Sequence, residues 1–254
     1  MDHYQQVKSF FNRTAARYRE KPRPFRAYYF GERMKIALSA IRPGKRVLDA
    51  GCGRGELYDK LAVHHSAGNY LGLDTSEQML AFSHIPAKQQ YLGSLENYAA
   101  EEGATNTVDC LVALGLTTYY RADDLPNFYR AVSTCLAPTQ SVAVISYTHR
   151  RSWDYRLRHA LQRNFASLFP RNRSLGRSFE IYATTPEQVS SDLPADLDLI
   201  AVHWLPPAVP LLTHWFPRWS VRLSKGMLRN WGPNWCGDFV VELKKAADKI
   251  SDLS

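Results

Sequence analysis

The sequence lacks the patterns that build disulfide frameworks, metal centres and membrane spans. Its four cysteines are scattered, none forms a Cys-x-x-Cys pair, and no histidine–cysteine spacing is typical of zinc. Such thiols predict reduced residues, so we expect a cytoplasmic protein without a metal. The most apolar stretch, 204–219, is interrupted by prolines and a histidine, and the first twenty residues do not resemble a signal peptide. We therefore expect a soluble protein with no transmembrane segment.

Basic residues outnumber acidic residues in this sequence. The chain of 254 residues carries 32 lysines and arginines against 24 aspartates and glutamates, a formal net charge of +8. An excess of this sign favours anionic partners or surfaces, but it does not bear on the fold. Apolar residues make up 45% of the sequence, which is ordinary for a globular protein and argues against global disorder. The length fits one domain with insertions better than two domains.

Strand and helix patterns alternate along the chain. This alternation predicts an α/β fold, namely a doubly wound, mainly parallel seven-stranded sheet with helices on both faces. The predicted strands are 47–48, 70–74, 90–92, 109–114, 141–146, 197–204 and 239–243. The predicted helices are 3–20, 25–41, 56–64, 77–82, 126–136, an amphipathic helix from Trp153 to Leu168, and a helix beginning at Pro186.

A glycine-rich turn follows the first predicted strand. Asp49 precedes the spacing Gly-x-Gly-x-Gly at 51–55, and glycines let the backbone turn sharply and approach a ligand closely. The residue three after Gly53 is Glu56, so the dinucleotide fingerprint G-x-G-x-x-G is not met. Asp74 ends the next strand, where a carboxylate can accept hydrogen bonds from both hydroxyls of a ribose. The turn and Asp74 therefore predict a ribose-containing cofactor and disfavour a dinucleotide.

Three segments resemble a known family. VLDAGCGRGEL at 47–57, followed by YLGLDTSEQML at 70–80, resembles motif I and its successor in class I, Rossmann-like S-adenosylmethionine-dependent methyltransferases. FFNRTAARY at 10–18 resembles the lead-in of small-molecule members of that family. The resemblance implies S-adenosyl-L-methionine as cofactor and S-adenosyl-L-homocysteine as product.

The resemblance also implies roles for individual residues. Asp49, Gly51 and Gly53, with Cys52 between the glycines, would line the methionine end of the cofactor, and Asp74 would hold the ribose. Ser94 stands where the family often has an aspartate that bonds the adenine amino group, so a weaker hydrogen bond is expected there. The remaining cofactor-binding residues are expected to be Tyr18 over the methionine moiety, Thr75 and Met79 beside the adenine, Leu95, and Leu114 and Gly115 on the opposite side. Tyr18 has an equal alternative as a core aromatic residue.

The resemblance to this family also divides the chain into four parts of a single methyltransferase domain. We expect an N-terminal helical lid at 1–41 and a cofactor-binding core at 42–146. A basic cap insert at 147–196 and C-terminal strands with a tryptophan- and proline-rich insertion at 197–254 complete the domain.

Candidates for a general base follow the fourth and fifth predicted strands. His149 is the best base by chemistry, because imidazole titrates near neutral pH, but a surface histidine beside Arg150 is the favoured interpretation. Tyr119 and Tyr120 are further catalytic candidates that more often line a pocket. The loop at 115–118 lacks the Asn/Asp-Pro-Pro-Tyr/Phe signature, and the sequence has no Pro-Cys dipeptide. Both absences disfavour methylation of nucleic-acid bases.

Two surface segments bear on the methyl acceptor. The basic insert either attracts an anionic group or is a solvated face, and its arginines are Arg150, Arg151, Arg156, Arg158, Arg163, Arg171, Arg173 and Arg177. The tryptophan-rich segment either forms an apolar wall for a bulky acceptor, meets a membrane interface, or packs on the sheet. Its members are Trp204, Trp215, Trp219, Trp231 and Trp235 with Pro206, Pro207, Leu211, Leu212 and Phe216.

The sequence thus predicts a methyltransferase for a small-molecule acceptor, anionic or hydrophobic, with O-methylation slightly preferred. A methyltransferase acting on RNA or protein remains open because of the basic surface. So does a non-catalytic cofactor-binding partner subunit, although intact Asp49, Gly51, Gly53 and Asp74 argue against it. A dehydrogenase is a more distant alternative. The oligomeric state does not follow from the sequence.

Overall fold

The structure, a computed structural model, describes residues 2–18, 24–63, 67–164, 181–207, 215–226 and 231–246. Seven strands form one sheet in the order β3-β2-β1-β4-β5-β7-β6. Their bounds are β1 Val47–Ala50, β2 Tyr70–Asp74, β3 Gln90–Leu92, β4 Cys110–Ala113, β5 Val142–Thr148, β6 Leu197–Trp204 and β7 Asp238–Lys245.

The sheet confirms the predicted fold class. Strands β1 to β5 pair in parallel, whereas β7 lies antiparallel between β5 and β6. The strand order reverses at β1, which has β2 on one side and β4 on the other. Ligands in such sheets bind outside the carboxyl ends of the strands at this switch point, so the glycine turn after β1 stands at the expected place.

Helices cover both faces of the sheet because successive strand residues point to opposite sides. On β4, Leu111 belongs to the core that packs against α6, and Val112 belongs to the core that packs against α2 and α3. The helices within the described residues are α1 His3–Thr14, α2 Pro24–Ala40, α3 Glu56–Val63, α4 Glu77–Ala81, α5 Leu95–Ala99, α6 Leu125–Cys135, α7 Trp153–Asn164, α8 Pro186–Asp192 and α9 Pro217–Lys225.

Some expectations differ from these bounds. The short helix α5 and the helix α9 were not predicted, and the N-terminal helix ends at Thr14 rather than near residue 20. The predicted extension of α7 to Phe165 and Leu168 lies outside the described residues, as do Arg171, Arg173, Arg177, Leu211 and Leu212. None of the helices within the described ranges has the length and apolar character that crossing a bilayer requires.

An ion pair ties α2 to the start of β7. The Arg33 guanidinium donates to the Asp238 carboxylate, and these side chains are only 16% and 13% exposed. One turn earlier, the hydroxyl oxygen of Tyr29 accepts a hydrogen bond from the Gly237 N–H at 3.0 Å. Burial raises the pKa of Tyr29 well above its usual value, so this phenol stays neutral. Both contacts hold the first half of α2 at the carboxyl edge of the sheet.

Candidate cofactor and acceptor site

The glycine turn has a backbone that only glycine adopts without strain. Gly51, Gly53 and Gly55 have φ angles of 74°, 57° and 85°. The N–H groups of Gly51 and Cys52 both donate to the Leu73 carbonyl, at 2.8 and 2.9 Å, so the turn is fastened to the end of β2. A Cβ atom at Gly55 would lie 2.8 Å from Cγ1 of Ile85. The turn is therefore fixed by packing as well as by its torsion angles.

Asp74 links the turn to the loop after β2. One carboxylate oxygen accepts from the Gly53 N–H at 3.0 Å, and the other accepts from the Ser76 N–H at 2.8 Å. Burial raises the pKa of Asp74, while the backbone N–H groups of Ser76, Gly53 and Thr75 act in the opposite direction. A carboxylate offers about four acceptor positions, so Asp74 retains capacity for a ribose hydroxyl.

Asp49 lies deeper than Asp74. It is 5% exposed and accepts a hydrogen bond from the Tyr70 hydroxyl at 2.7 Å, across the β1–β2 pair. Burial, followed by the charge of Asp49, raises the pKa of Tyr70 well above its usual value. Asp49 therefore braces the two strands beneath the turn, and its contact with the methionine end of a cofactor stays a prediction.

The N-terminal helix lies across this turn. The Ser76 hydroxyl donates to the Asn12 amide oxygen at 2.6 Å, which joins α1 to the start of α4. A Cβ atom at Gly53 would lie 3.9 Å from the Tyr18 ring, and Arg54 donates to the Tyr18 carbonyl at 3.3 Å. Tyr18 thus stands over the glycine turn, which supports its predicted place beside the methionine moiety.

Three of the proposed cofactor residues turn their side chains into the core. Cys52 belongs to the α2-side core, Leu95 belongs to the α6-side core, and Met79 is 1% exposed. A cofactor would meet Cys52 and Leu95 through their backbone, while the adenine contact of Met79 stays a prediction. Thr75, by contrast, is exposed beside Asp74.

Ser94 has a structural task of its own. Its hydroxyl accepts from the Asn97 N–H at 3.2 Å and donates to the Asn97 side chain at 2.9 Å, which forms a capping box at the start of α5. Ser94 thus caps α5, and the Asn97 side chain completes the capping box. An adenine contact would have to share the same hydroxyl.

The loop after β4 reaches the turn from the other side. The Gly115 N–H donates to the Ser146 hydroxyl at 2.7 Å, and Gly115 has a φ of 76°. Leu114 is partly buried against the α2-side core. The next residue, Leu116, lies so close to Gly51 that a Cβ there would be 3.1 Å from its Cδ1. Sequence reasoning missed Leu116, although its place after Gly115 offered a signal.

The two tyrosines after β4 differ in their surroundings. Tyr119 is partly buried, its ring contacts Phe11 of α1 at 5.3 Å between centroids, and its carbonyl accepts from His3 at 2.8 Å. Tyr120 is 8% exposed and donates to Glu96 at 3.1 Å, and burial raises its pKa well above the usual value. Tyr119 is therefore the better placed of the two to meet a ligand beneath α1.

His149 is buried, so its interpretation as a surface histidine is wrong. It is 2% exposed, its Nδ1 lies 3.2 Å from the Cys236 carbonyl, and its ring packs on Trp204 with 4.9 Å between centroids. The cause is tertiary, because β7 inserts beside β5 and covers the residue that follows β5. The structure shows His149 as a packed core residue, and its role as a base stays a prediction.

Burial lowers the pKa of His149, which predicts a pH effect on stability. The unfolded chain binds the proton below about pH 6.5, whereas the native state resists it, so the free energy of unfolding should fall as the pH drops below that value. In His149→Gln this fall should be shallower in urea titrations between pH 7.5 and 5. The exposed His84→Gln is the matched control, and equal profiles for wild type and His149→Gln would contradict the prediction.

A basic cleft of about 500 Å³ opens beside the end of β5. It is lined by Arg150, Arg151, Arg156, Thr184, Thr185 and Gln188. The backbone of Arg150 donates to the Thr184 carbonyl at 2.8 Å, which joins the segment before α8 to the carboxyl edge of the sheet. Arg151 lies 3.4 Å from the Glu187 carboxylate. The three lining arginines make this cleft basic, which suits an anionic group, and the Arg156 guanidinium also lies 5.0 Å from the centre of the Trp153 ring.

The described residues bring together no group of three His, Cys, Asp or Glu side chains that could hold a metal ion. The arrangement around the turn does fit S-adenosylmethionine. The glycines leave three positions of the turn without a Cβ atom, Asp74 retains an acceptor position, and the Tyr18 ring lies over Gly53.

Comparisons with known proteins agree with this geometry. A family model described as a methyltransferase domain matches residues 47–139. The chain is 25% identical over 207 residues, 79% of its length, to 24-methylenesterol C-methyltransferase 3 of Arabidopsis thaliana. The chain spans about half the length of that relative, because the match covers 53% of it.

Solved structures share the fold over nearly the whole chain. Magnesium protoporphyrin IX methyltransferase of Synechocystis, with bound S-adenosylhomocysteine, has a TM-score of 0.60 at 15% identity and covers 96% of this chain and 100% of its own. The 1,6-didemethyltoxoflavin-N1-methyltransferase of Burkholderia thailandensis has a TM-score of 0.59 at 11% identity and covers 96% and 89%. The matched domain, the sheet and the glycine turn together show the Rossmann-like fold of class I S-adenosylmethionine-dependent methyltransferases and support S-adenosylmethionine as the cofactor.

Proposed function

We propose that the protein transfers a methyl group from S-adenosylmethionine to a small-molecule acceptor, with an acceptor oxygen preferred. The observation that carries this proposal is that Asp74 and Tyr18 both contact the glycine turn at the switch point of the sheet, where they form one binding site for the cofactor. The similar proteins named above are described as methyltransferases of a sterol, a porphyrin and a toxoflavin precursor, and these acceptors support a small molecule.

The chemistry assigns a positioning role to this chain. The bound cofactor supplies both the methyl group and the leaving sulfur, so the protein mainly holds donor and acceptor in line. Asp74 and the turn orient the donor, and Tyr18 covers it. Tyr119, between α1 and the loop after β4, is the residue that we place next to the acceptor.

The basic cleft indicates which chemical group the acceptor carries. Its arginines lie beside the end of β5, next to the segment whose Tyr182 N–H donates to the Thr118 carbonyl at 2.9 Å. That segment therefore connects the cleft to the loop after β4, where the acceptor is proposed to bind. We infer that the acceptor carries a carboxylate or phosphate group, which the guanidinium groups hold by charge-assisted hydrogen bonds.

The test is a screen of small hydroxylated acids for release of S-adenosylhomocysteine by the full chain. We expect turnover with at least one acidic acceptor, an O-methyl product by NMR, and a raised KM in Arg156→Gln with little change in S-adenosylmethionine affinity. The exposed Arg130→Gln, on α6, is the control for a general loss of charge. Turnover with RNA that falls steeply with salt, or calorimetry without any cofactor binding, would overturn the proposal.

A further inference from the structure

The helix α9 has an inverted distribution of side chains. Its buried positions are serines, with Ser220 at 1% and Ser224 at 3% exposure. Its large aromatic residues face outward, with Trp219 at 61% exposure and, just before the helix, Trp215 at 71% and Phe216 at 54%. A surface helix of a globular protein ordinarily buries its apolar side and exposes its polar side. The outer face of α9 therefore exposes large apolar side chains to water, which is energetically unfavourable.

Basic side chains border these aromatic residues. Arg218, Arg222 and Lys225 are exposed, and the Arg222 guanidinium lies 5.7 Å from the centre of the Trp219 ring. The sequence contains no aspartate or glutamate from residue 199 to residue 237. We use "α9 surface" for Trp215, Phe216, Arg218, Trp219 and Arg222. This surface combines exposed aromatic rings with positive charge and has no acidic residue of its own.

Each side-chain type has a matching place at an anionic bilayer. Tryptophan rings settle at the level of the lipid headgroups, and arginine and lysine reach the phosphates while their stems stay in the apolar boundary. Each basic residue near an anionic leaflet also adds electrostatic attraction that salt screens. We propose that the α9 surface docks the protein on a membrane that contains anionic lipids.

The position of α9 relates membrane docking to the methyl-transfer site. The helix packs on α2, and the Lys225 ammonium lies 5.1 Å from the Tyr28 ring of α2. Five residues further along α2, Arg33 approaches Gly115 closely enough that a Cβ there would be 3.4 Å from Nη1. The inner side of α9 thus contacts α2, the helix that also borders the loop after β4. Resting on the proposed function, this arrangement supplies from the bilayer an acceptor that combines an apolar body with its acidic group.

Vesicle co-sedimentation of the full chain tests the docking without any methyl transfer. The vesicles consist of phosphatidylcholine, with or without phosphatidylserine. We expect binding to the phosphatidylserine vesicles, little binding to phosphatidylcholine alone, and weaker binding as salt rises. Trp215→Ser with Trp219→Ser should lower the partition coefficient at least tenfold, and Arg218→Gln with Arg222→Gln should abolish the preference for phosphatidylserine. Trp153→Ser, an exposed tryptophan on α7, and Arg130→Gln are the controls and should bind as wild type.

Three results would overturn the proposal. The first is unchanged vesicle binding by the tryptophan double variant, and the second is an equal loss in the two control variants. The third is self-association of the wild type that the double variant abolishes, without vesicle binding, because a second copy of the chain would then cover the α9 surface. Since these side chains are exposed, thermal unfolding of the variants should match the wild type. A failure of methyl transfer alone leaves the vesicle result intact, so the two proposals are tested separately.

Discussion

Replacing Arg33 with methionine is expected to lower the free energy of unfolding by about 3 kcal/mol. The variant keeps the long side chain but leaves the Asp238 carboxylate mostly buried without its guanidinium partner. Removing one member of such a pair costs more than the pair contributes, because the remaining charge has lost its solvent and its counter-ion. Urea unfolding followed by far-ultraviolet circular dichroism measures the change.

A double-mutant cycle separates this pair from simple loss of packing. Arg33→Met with Asp238→Asn should be more stable than the sum of the two single effects predicts, by about 1–3 kcal/mol. The matched control is Lys35→Met on the same helix. Its partner Glu32 lies at 2.7 Å, but the lysine side chain is 73% exposed, so a change below about 0.5 kcal/mol is expected. Additive effects of Arg33→Met and Asp238→Asn would show that the ion pair does not hold α2 to β7.

Replacing Asp74 with alanine is expected to weaken binding of S-adenosylhomocysteine by about 1–3 kcal/mol, a loss of roughly 5- to 150-fold in affinity. The variant removes the acceptors for the ribose hydroxyls and also releases the N–H groups of Gly53 and Ser76. Isothermal titration calorimetry with the full chain measures the loss.

The control for this variant is another carboxylate near the turn. Asp59 on α3 has a side chain that is 44% exposed and lies 3.1 Å from His84. Asp59→Ala should keep wild-type affinity because its carboxylate does not contact the turn. Unchanged affinity in Asp74→Ala would remove Asp74 from the cofactor site. Equal thermal unfolding of wild type and Asp74→Ala without cofactor would show that any loss comes from binding rather than from folding.

Local patterns in the sequence were sufficient for the elements that build the cofactor site. The apolar pair at 47–48, the glycines at 51–55 and Asp74 act through short-range geometry, so strand, turn and carboxylate could be placed without a structure. The parallel core followed from the alternation of strands and helices. The features that could be predicted from the sequence were therefore those that depend on local backbone conformation, such as the glycine turn.

Other features depend on contacts between distant segments and left no local signal. His149 is buried because β7 lies beside β5, and the residues around position 149 contain no pattern that predicts this pairing. Arg33 meets Asp238 for the same reason. The helix α9 was missed because it lies within the tryptophan- and proline-rich stretch, which the sequence patterns predict as an insertion between two strands.

The insertion of β7 into the sheet has a consequence for how the chain acquires its structure. The ladder between Val142–Thr148 and Asp238–Lys245 joins segments that lie far apart in sequence, and among the described strands β6 pairs with β7 at the edge of the sheet. Until β7 arrives, one side of β5 offers unpaired N–H and C=O groups to any other strand. Closure of long loops slows the formation of such pairings. We therefore expect late completion of the sheet to be the slow step of refolding and the stage most prone to aggregation.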